Sequence, residues 1–254
     1  MIEKQSVAEG RMFGWRKRIG YITPTVMEVV PYEFYRFAPD GVGLVGVTCN
    51  IDSWEPHEFE KGLSQVSQAA RYLGSRGVDY VIHGGGPLVV KRGKGFAKTI
   101  VKEIEAAAKV PATTGVRASM EALRHIGAQR VAIASPYPKT HDAAMASYLT
   151  AHGFAIVRVE GLDIAFKELQ NVAPSGIHRF ALSVVSCAEG CDALYLPCGQ
   201  WQASQVVDAL EKDSGKPVIA YTHANFFAAF KALGLRDRIH GHGRLLASLA
   251  AVSG

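Results

Sequence analysis

Seven short apolar stretches, rich in β-branched residues, alternate along the chain with segments that have helical patterning. The apolar stretches do not alternate strictly between polar and apolar residues, which is typical of strands covered on both faces of a sheet. The sequence predicts strands over residues 18–23, 43–49, 80–85, 130–136, 154–160, 193–198 and 217–222. It predicts helices over residues 56–76, 94–109, 117–127, 140–152, 174–190, 201–213 and 224–234. This alternation of strand and helix favours an α/β fold with a mostly parallel sheet.

The composition is that of a globular protein with a substantial core. The chain has 254 residues, of which 48% are hydrophobic and 20% are charged, enough for one large domain or two small ones. No apolar run reaches the roughly 18 residues that a membrane-spanning helix needs, so we expect no membrane partner. Residues 1–22 lack the apolar segment and cleavage site of a secretory signal. The four cysteines show no paired spacing, which argues against a disulfide framework or a metal site and favours a cytoplasmic protein.

The net charge is +5, and a basic cluster lies in the sequence KRGKGFAK. Its cations are Lys91, Arg92, Lys94 and Lys98. Such a cluster can form a phosphate or nucleic-acid patch, but a solvated loop followed by a helix start is the simpler interpretation, so we expect no nucleic-acid partner. The chain also has no phosphate loop ending in Gly-Lys-Ser/Thr and no Gly-x-Gly-x-x-Gly after its first strand, which disfavours a nucleotide cofactor.

Two segments of the chain follow the same order of features. SRGVDYVIHGGGPLVV and AEGCDALYLPCGQWQASQVV each contain Gly-x-Asp, then an apolar strand, then a turn with glycine. When the two segments are aligned on Asp79 and Asp192, Cys198 falls opposite Gly85. We therefore predict two similar α/β lobes whose central strands both end at one cleft, because ligands of such sheets lie beyond the carboxyl ends of the strands.

This repeat, the cysteine at a strand end and the segment RVAIASPYPKTHD together resemble the aspartate/glutamate racemase superfamily. The similarity extends from Arg18 to Gly234 and is closest to the branch of arylmalonate decarboxylases and maleate cis-trans isomerases. The resemblance implies two pseudo-symmetric lobes, each a mostly parallel sheet flanked by helices, with a cofactor-free active site in the cleft between them. We expect residues 1–116 and 222–254 to form the first lobe and residues 117–221 the second. A small carboxylic acid is then the expected substrate, and a homo-oligomer is compatible with the sequence.

The two matched strand ends distinguish members of this superfamily. The resemblance implies a cysteine at each strand end in racemases and maleate isomerases, and one glycine with one cysteine in arylmalonate decarboxylases. Here Cys198 fills the second position and Gly85 the first, as in the decarboxylases. Tyr137, in SPYP, matches a tyrosine that the decarboxylases carry in the corresponding loop. Their Thr-Ser pair is replaced here by Gly86 and Pro87, and the Asn that maleate isomerases carry after the first strand is missing from TPTVME.

Cys198 is the candidate catalytic residue. A thiol at a strand end, followed by Gly199 and by a helix predicted to begin near Trp201, lies where amide groups favour an anion. A buried structural cysteine is the alternative, since cysteine is among the most buried residue types. Cys49 also ends a strand, and a place in the core or beside the site is the simpler interpretation for it.

Six other residues are candidates for substrate binding: Gly85, Gly86, Gly199, Tyr137, Thr25 and His83. The glycines can bring bare backbone amides close to a carboxylate, although a plain turn would also require glycine. The hydroxyls of Tyr137 and Thr25 can donate hydrogen bonds to the same group. His83 can act as an acid, a base or a carboxylate donor, or it can be a satisfied structural histidine.

These residues support three interpretations. The first is a cofactor-independent decarboxylase of a malonate-like acid of the arylmalonate type, in which Cys198 protonates an enediolate held by backbone amides and Tyr137. The second is a maleate isomerase-like or racemase-like enzyme acting on a small dicarboxylate, in which His83 or Cys49 replaces the missing thiol. The third is a non-catalytic protein that binds small acids between its lobes. A single thiol suits proton delivery to one face of a carbanion, so we favour the first interpretation.

Overall fold

The computed structural model describes residues 12–251 and contains two four-stranded parallel sheets. The strands of the first are β1 (Lys17–Thr23), β2 (Val42–Thr48), β3 (Tyr80–His83) and β4 (Ala112–Thr114). The strands of the second are β5 (Arg130–Ser135), β6 (Ala155–Gly161), β7 (Ala193–Leu196) and β8 (Val218–Ala220). The spatial orders are β2-β1-β3-β4 and β6-β5-β7-β8. The two sheets therefore share one topology, which confirms the predicted α/β fold with two similar halves.

Helices connect successive strands and cover the sheets. Before β5 they are α1 (Val29–Phe37), α2 (Pro56–Ser64), α3 (Val66–Ser75), α4 (Gly86–Lys91), α5 (Phe96–Ala108) and α6 (Gly115–His125). After β5 they are α7 (Lys139–Ala151), α8 (Pro174–Ser186), α9 (Val207–Ser214), α10 (Tyr221–Ala232) and α11 (Gly243–Ala247). Short 3₁₀ helices cover Phe166–Asn171, Ala203–Gln205 and Ser248–Ala251. None of the helices within residues 12–251 combines the length and apolar character of a bilayer-spanning segment.

The central strands of both sheets are buried because helices cover both of their faces. All four residues of β3 (YVIH) and of β7 (ALYL) are buried, as their continuous apolar runs predict. Helix α10 is buried from Tyr221 to Phe230. It packs against α1, α6, β3 and β4 and also against β8, so this one helix contacts elements of both halves.

The predicted lobe boundaries fall inside two helices. The division after residue 116 lies in α6, and the division after residue 221 lies in α10. These helices pack against each other. The assignment of residues 1–116 and 222–254 to one lobe and of residues 117–221 to the other stays a prediction.

Asp79 and Asp192 perform the same structural task in the two halves. The Asp79 carboxylate accepts a hydrogen bond from the Arg18 amide at 2.7 Å, and the Asp79 amide donates to the Arg18 carbonyl at 2.7 Å. Asp192 makes the same two bonds with Arg130, at 2.7 and 2.6 Å. Each aspartate therefore attaches the start of its central strand to the neighbouring strand. The repeat aligned in the sequence corresponds to a repeated piece of structure.

Two of the predicted helices are interrupted or begin in a different form. The helix predicted over residues 56–76 is interrupted at Gln65 and divided into α2 and α3. The helix predicted from residue 201 starts as the 3₁₀ turn Ala203–Gln205 and becomes α-helical only at Val207. The N-terminal residues 1–11, part of the segment expected to lack a secretory signal, lie outside the described residues.

Strand β4 and helices α1, α4 and α11 were absent from the sequence-based expectation. Strand β4 has three residues, too few to show a period. Pro31 lies inside α1 and Pro87 in the first turn of α4, and proline weakens a helical pattern although the first turn of a helix tolerates it. Both helices lie next to the turns that form the site described below.

Candidate active site

The turns that follow the central strands of the two sheets meet at one cavity. Gly85, after β3, and Cys198, after β7, both line it, so the structure brings together the two positions that the sequence repeat aligned. The cavity has an empty volume of about 520 Å³, including its open mouth. Thr25 and Tyr137, which follow β1 and β5, line it as well. This arrangement follows from the parallel sheets, because their strands all end at the same edge.

The first turn presents backbone rather than a side chain. Gly85 has a φ of 73°, in the left-handed region, and immediately precedes helix α4 at Gly86. A β-carbon at Gly85 would lie 2.9 Å from Cγ of Pro24, so both the conformation and the available space favour glycine. Pro87 has no N–H, and the Leu88 amide donates to the Gly85 carbonyl at 3.0 Å, so the amides that remain in this turn are those of Gly85 and Gly86. The turn can therefore offer N–H groups to an anion in the cavity.

The second turn presents a thiol. Cys198 is 3% exposed, and its Sγ accepts a hydrogen bond from the Gln200 amide at 3.4 Å. Burial raises the pKa of the Cys198 thiol to about 11, although neighbouring amides and the Tyr137 hydroxyl act in the opposite direction. The α-helix expected near Trp201 begins later, because a 3₁₀ helix starts at Ala203 and α9 only at Val207. The thiol is therefore protonated at neutral pH and can give a proton.

Tyr137 lies beside the thiol and already has a partner. It is 4% exposed, and its hydroxyl donates a hydrogen bond to the Pro197 carbonyl at 2.9 Å. Burial raises the pKa of this hydroxyl, and the proximity of Cys198 adds to the rise. The ring packs edge-on against Trp54, with ring centres 5.5 Å apart. To hold a substrate carboxylate, the hydroxyl must turn from the Pro197 carbonyl towards the cavity.

The remaining glycine candidates also line the cavity, and their small size lets a tyrosine approach. Gly86 and Gly199 belong to the first and second turn respectively. A β-carbon would lie 3.5 Å from Cε2 of Tyr221 at Gly86, and 3.2 Å from Cδ1 of the same ring at Gly199. The Tyr221 ring therefore lies against both strand-end turns, and the three residues together form one wall of the cavity.

His83 and Cys49 lie away from the cavity. His83 is 1% exposed, is not a lining residue, and has a pKa that burial lowers to about 4. Cys49 is 1% exposed and packs in the core of the first half with Ile22 and Val66, and burial raises its pKa to about 11. The structure therefore does not bring His83 to the substrate cavity, and it offers neither residue as a second group opposite Cys198.

Four aromatic residues line the cavity without a sequence-based expectation: Tyr21, Trp54, Phe166 and Tyr221. Tyr221 is 2% exposed, and its hydroxyl lies close to the Gly86 amide but has no hydrogen-bond partner of normal geometry within residues 12–251. It directly follows β8, a strand-end position that could have identified it. The Tyr21 hydroxyl accepts a hydrogen bond from the Asn225 side chain at 3.1 Å. Trp54 lies in a loop, where hydrophobic periodicity gives no signal.

The cavity is electrically neutral. Among the described residues that line it, none is Lys, Arg, His, Asp or Glu. Its apolar walls are formed by Val30, Ile51, Trp54, Leu88, Phe166 and Leu169. Within residues 12–251, no group of three or more His, Cys, Asp or Glu side chains is arranged to hold a metal ion. An acid bound here is therefore held by neutral donors, namely hydroxyls and backbone amides.

Known proteins share both the sequence pattern and the fold. The profile of a family described as arylmalonate decarboxylase matches residues 19–246. The arylmalonate decarboxylase of Bordetella bronchiseptica is 26% identical over 235 residues, covering 89% of this chain and 95% of that protein. A maleate isomerase of Pseudomonas putida is 29% identical over 167 residues, covering 62% and 65% of the two chains. A liganded structure of arylmalonate decarboxylase, with one glycine changed to cysteine and one cysteine to serine, has a TM-score of 0.85 at 24% identity and covers 90% of this chain and 98% of that one.

Proposed function

Because the chain belongs to the arylmalonate decarboxylase family it is an enzyme, a decarboxylase or an isomerase, and we propose that it is a cofactor-independent decarboxylase of a malonate-like acid. Its two relatives described above are named for reactions of small dicarboxylates, which supports a small dicarboxylate as the substrate. We assign Cys198 as the proton donor to an enediolate. The substrate-binding residues are Gly85, Gly86, Gly199, Tyr137 and Thr25.

One observation carries this proposal: of the two matched strand ends that line the cavity, one holds a buried thiol and the other a glycine. A racemase needs one group to remove a proton and another to return it, whereas a decarboxylase needs only to deliver one. Cys198 lines the cavity, while the matched position is Gly85 and Cys49 lies in the core. The liganded decarboxylase structure carries substitutions at one glycine and one cysteine, the same two residue types, which supports placing the chemistry at this pair.

The neutral cavity favours the loss of one of two carboxylates. The first can lie against the amides of the turn at Gly85 and the hydroxyl of Tyr137. The second then faces apolar walls such as Trp54 and Leu88, where an ionised group is poorly solvated. When this carboxylate leaves as carbon dioxide, the apolar region no longer holds a charge. The reaction therefore removes the unfavourable desolvation of the bound substrate.

The proposed step needs only the groups present in the cavity. The bond between the α-carbon and one carboxylate breaks, carbon dioxide leaves, and the electron pair remains as an enediolate on the other carboxyl group. Amide and hydroxyl donors stabilise this dianion, and the loss of one such donor typically costs about 10²–10³ in rate. The Cys198 thiol transfers its proton to the α-carbon, and water then returns a proton to the thiolate. Delivery from one side predicts a product of one handedness from a disubstituted malonate.

A maleate isomerase-like reaction is the second candidate, because a maleate isomerase is among the relatives. In that reaction Cys198 would add to the double bond as a thiolate, allow rotation about the resulting single bond, and leave. The thiolate is the nucleophile, and a thiol with a pKa of about 11 is almost entirely protonated at neutral pH. The isomerase therefore ranks second. The non-catalytic binding protein is not retained, because the family is one of enzymes.

Incubation with phenylmalonate, maleate and free amino acids in deuterated water separates the reactions. Decarboxylation releases carbon dioxide and leaves deuterium on the new α-carbon, isomerisation converts maleate to fumarate, and racemisation exchanges the α-proton of an amino acid. We expect the protein to decarboxylate phenylmalonate, which nuclear magnetic resonance detects, and we expect Cys198→Ala to lose this activity. Conversion of maleate without release of carbon dioxide from any malonate would favour the isomerase instead.

A further inference from the structure

Helix α1 carries a fully buried carboxyl group that the proposed chemistry does not use. Glu33 is 0% exposed, and none of the ion pairs found within residues 12–251 includes it. Its Oε1 accepts a hydrogen bond from the Ser204 amide at 2.7 Å, whereas its Oε2 has no partner of normal geometry in that part of the chain. Burying an unpaired carboxylate is costly, and such groups cluster at functional sites.

The hydrogen bond of Glu33 reaches the segment that carries the thiol. Ser204 lies in the 3₁₀ helix that follows Cys198, after β7, whereas α1 connects β1 to β2 in the first half. A second bond joins the same two regions, because the Gln200 side chain donates to the Val26 carbonyl at 3.0 Å. The chain that follows Cys198 is therefore attached at two points to the first half of the molecule.

We propose that Glu33 is a positioning residue for the reaction: through the Ser204 amide it fixes the turn that carries Cys198. This inference deepens the proposed function and rests on Cys198 being the proton donor. Glu33 does not line the cavity. It therefore acts through the thiol-bearing turn and not on the reacting atoms.

The charge on Glu33 favours the form of the thiol that can donate. Burial is the main cause of the raised pKa of Cys198 and of Tyr21, and the nearby Glu33 carboxylate adds a smaller rise to both. Burial raises the pKa of Glu33 to about 7, while neighbouring hydroxyls, the Ser204 amide and the charge of Arg36 on the same helix limit the rise. Above that pKa the bond to the Ser204 amide is charge-assisted. As the pH falls through about 7 the bond weakens, so we expect turnover to decrease on the acidic side.

Three variants separate the contact from the charge. Glu33→Gln keeps an oxygen for the Ser204 amide and removes the charge. Glu33→Asp keeps the charge and withdraws the carboxylate from that amide by the length of one methylene group. Glu28→Gln changes an exposed glutamate immediately before α1 and is the matched control.

The thiol is titrated by the ultraviolet absorbance of the thiolate, with the Cys198→Ala signal subtracted to remove the other cysteines. We expect Glu33→Gln to lower the pKa of Cys198. We also expect its kcat to be low at every pH, so that kcat no longer declines below neutral pH. We expect Glu33→Asp to lower kcat by about 10- to 100-fold with little change in KM, because the thiol is displaced from its position. Glu28→Gln should behave as the parent protein in both measurements.

An unchanged thiol pKa together with an unchanged pH profile in Glu33→Gln would overturn the inference. Thermal unfolding shows whether each variant is folded. If Glu33→Gln does not fold, Glu33→Asp decides, because full kcat in that folded variant also overturns the positioning role. The titration needs no substrate, so it gives a result even if no malonate is turned over. Failure of the proposed function is recognised separately, by activity that survives in Cys198→Ala.

Discussion

The two strand-end turns of this protein have the same scaffold and different chemistry. Each follows a central strand that starts at an aspartate, Asp79 or Asp192, bonded in the same way to the neighbouring strand. The turn at Gly85 has a left-handed glycine and leads directly into a helix, whereas the turn at Cys198 carries a buried thiol and reaches its next α-helix only at Val207. In the proposed function the two turns have different roles, since the first offers backbone donors and the second a proton.

The largest expected effect comes from removing the group that makes the second turn different. Cys198→Ala removes the proposed proton donor, and we expect turnover to fall about 10³-fold, within the 10²–10⁴ typical of general acids and bases. Cys198→Ser should be nearly as poor, because a hydroxyl is a far weaker acid than a thiol. Steady-state kinetics measures the loss, and thermal unfolding should show an intact fold, since only one small side chain is removed. Full activity in folded Cys198→Ala would mean that the thiol is structural.

The next effect concerns the hydroxyl beside the second turn. Tyr137→Phe removes a donor to the enediolate, and we expect kcat to fall by roughly 10²-fold, the lower end of the range for such donors. KM should change less, since the charge on the bound carboxyl group grows in the transition state. Tyr72→Phe, at an exposed tyrosine on α3, is the control and should leave both constants unchanged. Equal losses in the two variants would contradict a role for Tyr137 in catalysis.

The two turns can be made alike by adding a thiol to the first. Gly85→Cys places a second sulfur at the matched strand end, so we expect α-proton exchange in deuterated water that the parent protein does not show. The variant should be less stable, because its β-carbon would crowd Pro24. Exchange is measured by nuclear magnetic resonance, with Gly85→Ala as the control for strain alone. Absence of exchange in a folded Gly85→Cys protein would show that the two turns do not address the same carbon.

The glycines of the two turns should differ in their tolerance of a β-carbon. Gly85→Ala must hold a left-handed conformation, which costs roughly 1–2 kcal/mol, and it also approaches Pro24 at 2.9 Å. Gly199→Ala has no such conformational penalty, and its β-carbon meets the edge of the Tyr221 ring at 3.2 Å, so its loss of stability should be smaller. Urea unfolding of both variants measures the difference. A larger loss of stability in Gly199→Ala than in Gly85→Ala would contradict this prediction.

The smallest effect concerns the scaffold that the halves share. Hydrogen bonds from the Arg130 and Gln129 amides lower the pKa of Asp192, so its ionised form stabilises the folded protein. This contribution is present above the unfolded pKa of about 3.9 and is lost as the pH falls through the lower folded pKa. Asp192→Asn should therefore lower Tm slightly at neutral pH and lessen the further drop between neutral and acidic pH. Asp40→Asn, at an exposed aspartate, is the control, and an equal change there would contradict the role of Asp192.

Repeated patterns made the fold and the central pair of the site predictable. Asp79 and Asp192 align two segments of sequence, and because they start equivalent strands, the alignment also placed Gly85 opposite Cys198. Other features depend on contacts that no local pattern encodes. Trp54 reaches the cavity from a loop, and Glu33, a charged residue on an unexpected helix, gives no sign in the sequence that it is buried.

His83 shows a second limit of prediction from the sequence. A residue at the end of a strand lies near the edge where ligands bind, but that position alone does not tell whether its side chain reaches the ligand or the core. His83 is buried and outside the cavity lining. Tyr221 is the converse case, because its place after β8 was visible in the sequence while its contact with both turns depended on Gly86 and Gly199 being small.

Helix α10 has a consequence for how the molecule matures during synthesis. It packs on β3 and β4, and its Phe226 contacts the rings of Tyr21 and Phe34 in the first half. Every strand of the second sheet leaves the ribosome before Phe226 does, since β8 ends at Ala220. Domains usually mature from the N-terminus during translation. Here we expect the opposite order, because the half that emerges first keeps part of its apolar surface uncovered until the second sheet has been made, and is therefore completed last.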